Sequence, residues 1–191
     1  MNIIYLAPKE VTINTSHIKC YEQLLLWSIR TWVMGLIRKI ETKDTLKQAY
    51  GQYKIPEASI ALSHFMYCLS FGAKRALDIR CPISGSISPD EITIMNFITS
   101  AQRGNTPLAE SILNDLCIEK YQMQTKYHAM TFTDIIQKKA KMTLTYLPLT
   151  EPQSLEQARG SGYSEGNITA FIPTATSPLA DQIVSSIPRE Q

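Results

Sequence analysis

The chain has 191 residues, of which 44% are hydrophobic and 19% are charged, and its formal net charge is +2. This length is typical of one domain, and the apolar content is sufficient for a core, so a wholly disordered chain is excluded. With 19 basic and 17 acidic residues, the chain lacks the basic surplus that would favour nucleic acid or an anionic membrane as a partner.

Cysteine usage and the first residues bear on the compartment. The four cysteines, at positions 20, 68, 81 and 117, are spread over predicted helices and helix ends. A small secreted scaffold would cluster its cysteines behind a signal peptide, whereas the N-terminus has no positively charged segment and only a short apolar run. The longest apolar stretch, residues 58–73, is shorter than the about 20 residues of a membrane span. We therefore expect a soluble protein of the reducing cytoplasm.

Composition divides the chain near Pro148. Residues 1–147 contain nearly all the bulky apolar side chains, with 17 basic and 12 acidic residues, whereas residues 148–191 contain 2 basic and 5 acidic residues and are rich in Ser, Thr, Pro and Gly. We predict an N-terminal arm over 1–14, a helical bundle over 15–147 and a flexible, low-complexity tail over 148–191. Two apolar patches in the tail, 168–172 and 179–184, are able to dock as a short strand or helical turn.

Hydrophobic periodicity predicts three helices in the first half of the chain. Apolar residues recur every three or four positions from a cap at Thr15 or Ser16 to about residue 41. A short amphipathic helix follows over 44–53. The third helix starts at Pro56, continues to about residue 79 and is apolar nearly all round, which is typical of the centre of a bundle. The extended arm before the first helix has no obvious strand with which to pair.

Capping signals define the next two helices. Ser88, Pro89 and Glu91 form a complete capping box with proline at the first helical position, and Gly104 is suited to close that helix in a left-handed conformation. Thr106 and Pro107 repeat the arrangement of cap and proline and start a fifth helix.

The last predicted helix runs from about residue 124 to 146. Its threonines weaken the prediction, and residues 143–147 are open to an extended conformation instead. Altogether the pattern predicts an all-α fold: a single bundle of five to six helices, with a short extended N-terminal arm and a flexible C-terminal tail.

One set of features is found together along the chain: the 21–35 stretch with its Arg-x-Trp motif, Cys81, Asp90, Glu91, Gly104 and Ala109. In these features the chain resembles an uncharacterised family of small helical alphaproteobacterial proteins over about residues 15–118, which implies a compact helical fold of bacterial origin and no particular activity. In that family's pattern a second cysteine often follows the first by two positions, where this chain has Ile83, which argues against a metal knuckle or redox pair.

Two histidine–cysteine pairs carry the most suggestive chemistry. His17 and Cys20 are three positions apart in the first helix, and His64 and Cys68 are four apart in the third. Each pair shares a helical face, so two facing helices would supply the four ligands of a tetrahedral zinc site. Packing of these side chains in and around the core is the alternative, with His64 inside the bundle and His17 partly exposed. We assign no metal-binding residue, and a metal-binding sensor or enzyme stays an alternative.

Catalytic arrangements have little support. Cys117 with His128, or Cys81 with Asp90, would be the candidates for nucleophilic catalysis, but neither pair belongs to a motif. The sequence has no nucleophile elbow and no glycine-rich phosphate loop. Asp90 and Glu91 occupy the first turn of a helix, where the helix dipole favours carboxylates, so we expect them to be structural. We predict no catalytic residue and no cofactor.

DNA binding is a further alternative. The turn at 104–107 joins two predicted helices as in a helix-turn-helix. The second of these helices would present Glu110, Asp115 and Glu119 outward, and phosphate would repel them. Our leading hypothesis is therefore a non-enzymatic helical protein that binds another protein of unknown identity, with the tail as a candidate docking or regulatory segment.

Overall fold

The computed structural model describes residues 13–148. Within this range the chain forms six α-helices and one short antiparallel strand pair, which confirms the predicted all-α bundle. Residues 1–12 of the predicted arm and residues 149–191 of the predicted tail, with both apolar patches, lie outside the described residues. The helices are α1 (Cys20–Arg38), α2 (Lys43–Gly51), α3 (Ala58–Gly72), α4 (Pro89–Gln102), α5 (Thr106–Leu116) and α6 (Glu119–Ala140), and the strands are β1 (Ile13–Asn14) and β2 (Ser86–Ile87).

The first helix begins later than its periodicity predicts. The Asn14 side chain accepts a hydrogen bond from the Ser16 N–H at 2.9 Å and caps a single 3₁₀ turn, so α1 starts only at Cys20. Just before this turn, Ile13 pairs with Ile87 across the two strands. The expectation that the arm has no strand with which to pair was therefore wrong for β1.

The third helix ends at Gly72, seven residues before the predicted end. A Cβ atom at Gly72 would lie 2.6 Å from the Cβ of Tyr121, so only glycine allows α3 to approach α6 this closely. At the next position Ala73 turns into an extended conformation and forms a β-bridge with Cys117. Residues 73–87, here called the 73–87 segment, consequently leave the helix axis and run towards α4 as irregular backbone ending in β2.

The later helices follow their capping signals. Gly104 has a φ of 68°, as predicted, and the Asn105 side chain accepts from the Leu108 N–H to cap α5. The last helix starts at Glu119, five residues before the predicted start, and ends at Ala140 because Lys141 is left-handed.

Residues 143–147 lie beyond the end of α6, in neither a helix nor a strand, so the predicted continuation of the last helix to residue 146 was wrong. This backbone pairs with side chains rather than with a strand: Asn96 exchanges two hydrogen bonds with Leu147, and Gln102 accepts from the Leu144 N–H at 2.7 Å. Glu22 of α1, which is buried, accepts from the Thr145 N–H at 2.8 Å. These contacts fasten the end of the described chain across α4 and α1.

Helices α3 and α6 pack antiparallel through the centre of the bundle. Phe71 stacks on Tyr121 near one end of the pair. At the other end Glu57 forms a surface ion pair with Lys139. The Phe65 ring of α3 and the Phe97 ring of α4 stack with centroids 5.9 Å apart.

Candidate functional site

The residues at the start of α4 form hydrogen bonds with one another and with the 73–87 segment. Ser88 Oγ accepts from the Glu91 N–H at 3.1 Å, and a Glu91 carboxylate oxygen accepts from the Ser88 N–H at 2.9 Å, which confirms the predicted capping box. The other Glu91 oxygen accepts from the Arg80 backbone N–H at 2.9 Å. Glu91 therefore links α4 to the 73–87 segment.

Arg30, in the middle of α1, forms a buried ion pair with Glu91. Its Nε donates to Oε1 at 2.7 Å and its Nη2 to Oε2 at 2.8 Å, and both side chains are almost completely buried. The guanidinium also donates to the carbonyl oxygens of Ser84 and Ser86 at 2.8 and 2.6 Å. Arg30 is thus occupied inside the fold, where it holds the 73–87 segment against α1. Arg30 is the arginine of the Arg-x-Trp motif, and one arginine in an otherwise apolar helical stretch is a signal of a buried partner, although the sequence does not identify Glu91 as that partner.

Asp90 makes a second, more exposed connection to the same segment. Its carboxylate accepts from Arg75 Nη1 and from the Asp78 N–H, both at 2.8 Å. Burial raises the pKa of Asp90, but the hydrogen bonds from Arg75 and from the Asp78 N–H outweigh burial, so the pKa lies below its usual value. Both predicted carboxylates are therefore engaged in contacts within the fold.

A small, mainly apolar cleft lies between the second half of α1, α3 and the 73–87 segment, and most of the side chains that line it are buried. Trp32 forms part of its wall and makes an edge-to-face contact with Tyr67, with ring centroids 4.8 Å apart. The other lining side chains are Val33, Leu36, Ile37, Met66, Leu69, Ser70, Leu77, Ile79 and Ile94.

A second small cleft continues from the first, since Val33, Ile37 and Ile79 line both. Its far wall is basic: Arg38 and Arg80 line it beside Cys81. We call the two clefts together the α1 groove.

The basic end of the α1 groove contains an unsatisfied donor. Arg80 Nη1 donates to Ser86 Oγ. Its Nε is buried and has no hydrogen-bond partner among residues 13–148. Because Arg80 Nε is buried, an incoming carboxylate would pair with the exposed parts of the Arg38 and Arg80 guanidinium groups rather than with this atom.

Large apolar side chains around the α1 groove are exposed. Leu36 and Ile37 on its wall are 39% and 41% exposed, and Ile83, two residues after Cys81, is 92% exposed. An exposed apolar surface with a basic rim is a typical composition for a protein–protein contact.

The four residues of the alternative zinc site do not assemble one. Over residues 13–148, no group of three or more His, Cys, Asp or Glu side chains is arranged to hold a metal ion. His17 and Cys20 are exposed, and Cys20 Sγ lies 3.6 Å from the Tyr53 hydroxyl. His64 is exposed, not inside the bundle as expected, because it lies on the outer edge of α3, and its neighbour is His128 of α6. Cys68 is a core residue.

The candidate nucleophiles are also separate. Cys117 is buried beside Thr125, and burial raises the pKa of its thiol, which is the reverse of an activated cysteine. Cys81 lies in the α1 groove, whereas the carboxylate of Asp90 is paired with Arg75. Neither pair forms a nucleophile with a base.

The turn at 104–107 is present between α4 and α5, and the face of α5 that it presents to solvent is acidic. Glu110 and Asp115 are exposed, and Glu110 pairs with Lys126 of α6.

Between residues 13 and 148, no helix combines the length and the apolar character needed to cross a membrane.

Comparison of the chain with protein-family models, with curated proteins and with solved structures gives no match. The resemblance to an alphaproteobacterial family therefore stays a prediction.

Proposed function

We propose that this protein binds another protein through the α1 groove, and that the bound element is a peptide segment with apolar anchors and at least one carboxylate. The observation that carries this proposal is the continuity of the apolar cleft with a basic end lined by Arg38 and Arg80. The apolar part would take the anchors, and Arg38 and Arg80 would take the carboxylate.

The shape of the α1 groove favours a polypeptide over a small molecule. Exposed apolar side chains lie on and beside the wall of the groove, at Leu36, Ile37 and Ile83. Small-molecule sites enclose most of their ligand, whereas the two clefts of the groove are small and the exposed side chains lie around them. Arginine is among the side chains that contribute most to protein interfaces, and Arg38 and Arg80 line the groove.

The scaffold supports binding without a large rearrangement. Arg30 and Glu91 fix the 73–87 segment, which forms the basic wall of the groove, and the α1 wall is a continuous helix. A preformed groove loses less conformational entropy on binding, so more of its contact energy contributes to affinity.

A peptide-display selection against the full-length protein tests the proposal. We expect the enriched peptides to share apolar residues and an Asp or Glu. Their binding free energy for the Ile37→Glu variant should be weaker by about 2 kcal/mol or more, which is the typical effect of losing a central anchor contact. Arg80→Gln should weaken the same peptides, because the carboxylate loses its partner. Met130→Glu is the matched control, since Met130 is 50% exposed on α6 and does not line the groove. Peptides that bind wild type and Ile37→Glu equally, or that respond only to Met130→Glu, would refute the proposal.

A further inference from the structure

Two histidines from different helices meet on the surface away from the α1 groove. His64 of α3 and His128 of α6 have ring centroids 5.2 Å apart and ring planes at 64° to each other. His64 is exposed and His128 is half-buried, so the pair is accessible from solvent. The antiparallel packing of α3 and α6 brings the two rings together. The same packing also places Phe71 of α3 against Tyr121 of α6 further along the helices.

The separation of the two rings is suited to a shared metal ion. Two imidazole nitrogens that bind one tetrahedral Zn²⁺ at about 2.0–2.1 Å place their ring centroids about 5 Å apart. The observed 5.2 Å agrees with this value. Because each histidine lies within a long helix, the helix backbones hold this separation of the two rings without any movement.

A further oxygen donor lies on the same side of α6. Gln124 is one helical turn before His128, and residues at this spacing are neighbours on a helix surface. Its Oε1 is buried and has no hydrogen-bond partner in the part of the chain that the structure describes. An amide oxygen of this kind is able to bind a cation or a cation-bound water.

We propose that His64 and His128 form an open two-imidazole site for a divalent transition ion of the Zn²⁺ or Cu²⁺ type, with Gln124 Oε1 as the third protein ligand. Imidazole is a preferred donor for these ions, and the remaining coordination positions are left to water or an external ligand. This site uses neither Cys20 nor Cys68. It is also independent of the α1 groove, so the failure of either proposal leaves the other intact.

Calorimetric titration of the full-length, tag-free protein with Zn²⁺ tests the site. We expect one ion per chain, and a loss of affinity of about tenfold or more in His64→Ala and in His128→Ala, since even the loss of an outer contact to a metal ligand commonly weakens binding roughly 10- to 100-fold. His17→Ala is the matched control, because His17 is exposed on the 3₁₀ turn before α1 and is the one histidine of the chain outside the proposed site. We expect its affinity to equal that of wild type.

Histidine ring signals in NMR spectra identify the ligands independently of affinity. On addition of Zn²⁺ the His64 and His128 resonances should shift together, and the His17 resonances should stay in place. Gln124→Ala should weaken binding, and an unchanged affinity would remove Gln124 from the ligand set. Absence of saturable binding, or equal effects of His17→Ala and His64→Ala, would overturn the proposal. Because His64 is on the surface, His64→Ala is expected to keep the wild-type circular dichroism spectrum.

Discussion

Arg30 of α1 and Glu91 of α4 are 61 positions apart in the chain and form a two-point ion pair, with Nε to Oε1 at 2.7 Å and Nη2 to Oε2 at 2.8 Å. The same two side chains also bind the backbone of the 73–87 segment, at Ser84, Ser86 and Arg80. Their pair therefore connects two helices and the segment that forms one wall of the α1 groove.

Removal of one partner of this pair should strongly destabilise the fold. Arg30→Met leaves the Glu91 carboxylate buried without its cation, and breaking a buried pair in this way typically costs about 3–5 kcal/mol. Lys126→Met, which breaks the surface pair with Glu110, should cost about 0–1 kcal/mol. Urea denaturation measures both values. Equal losses of unfolding free energy in the two variants would show that the buried pair stabilises the fold no more than the surface pair does.

Ser88 should contribute as a helix N-cap. We expect Ser88→Ala to lower the free energy of unfolding by about 1 kcal/mol, because the Glu91 N–H loses its acceptor. Thr93→Ala is a control within the same helix, since the Thr93 hydroxyl donates only to the Pro89 carbonyl oxygen and caps nothing. Thermal denaturation compares the two variants. An unchanged midpoint for Ser88→Ala would contradict the role of the cap.

The parts of the structure that the sequence predicted are those set by local interactions. The start of α4 follows from Ser88 and Glu91, and its end from Gly104, because caps depend on residues three or four positions apart. The sequence leaves the conformation of residues 143–147 open because the side chains that bind this backbone, Asn96 and Gln102 of α4, are distant in sequence.

The candidate sites depend on contacts that the sequence does not display. The sequence predicts an end of α3 near residue 79 because apolar residues continue past Gly72, whereas the earlier end coincides with two long-range contacts, of Gly72 with Tyr121 and of Ala73 with Cys117. Without that end there is no 73–87 segment and no groove. Likewise His64 and His128 are 64 positions apart, so their proximity follows only from the antiparallel packing of α3 and α6.

Acid should remove the stabilisation provided by Asp90. Because the pKa of Asp90 is lower in the folded protein than in the unfolded chain, this stabilisation is complete above the unfolded pKa of about 3.9 and is lost as the pH falls through the folded pKa. We expect the difference in unfolding free energy between wild type and Asp90→Asn to be constant at neutral pH and to shrink below about pH 4. Asp134→Asn, at an exposed surface pair, is the control and should show a much smaller difference. A wild-type advantage over Asp90→Asn that persists undiminished in strong acid would contradict the assignment.

The four cysteines should differ sharply in reactivity. Burial raises the pKa of Cys68 to about 11, and Cys117 is also buried with a raised pKa, so neither should react with iodoacetamide at mildly alkaline pH. Cys20 is exposed and Cys81 is half-buried in the α1 groove, so both should react in the native protein. Peptide mass spectrometry after timed alkylation measures each rate. Rapid native labelling of Cys68 would show that the core is open.

Protection of Cys81 tests the central claim, that the α1 groove binds a partner segment. The rate of Cys81 alkylation is measured in the full-length protein with and without an acidic, apolar peptide obtained from the display selection, and Cys20 in the same sample is the internal control because it is exposed outside the groove. The account predicts that the Cys81 rate falls in proportion to the fraction of protein bound, while the Cys20 rate is unchanged. An unchanged Cys81 rate under conditions where the peptide is fully bound would contradict it.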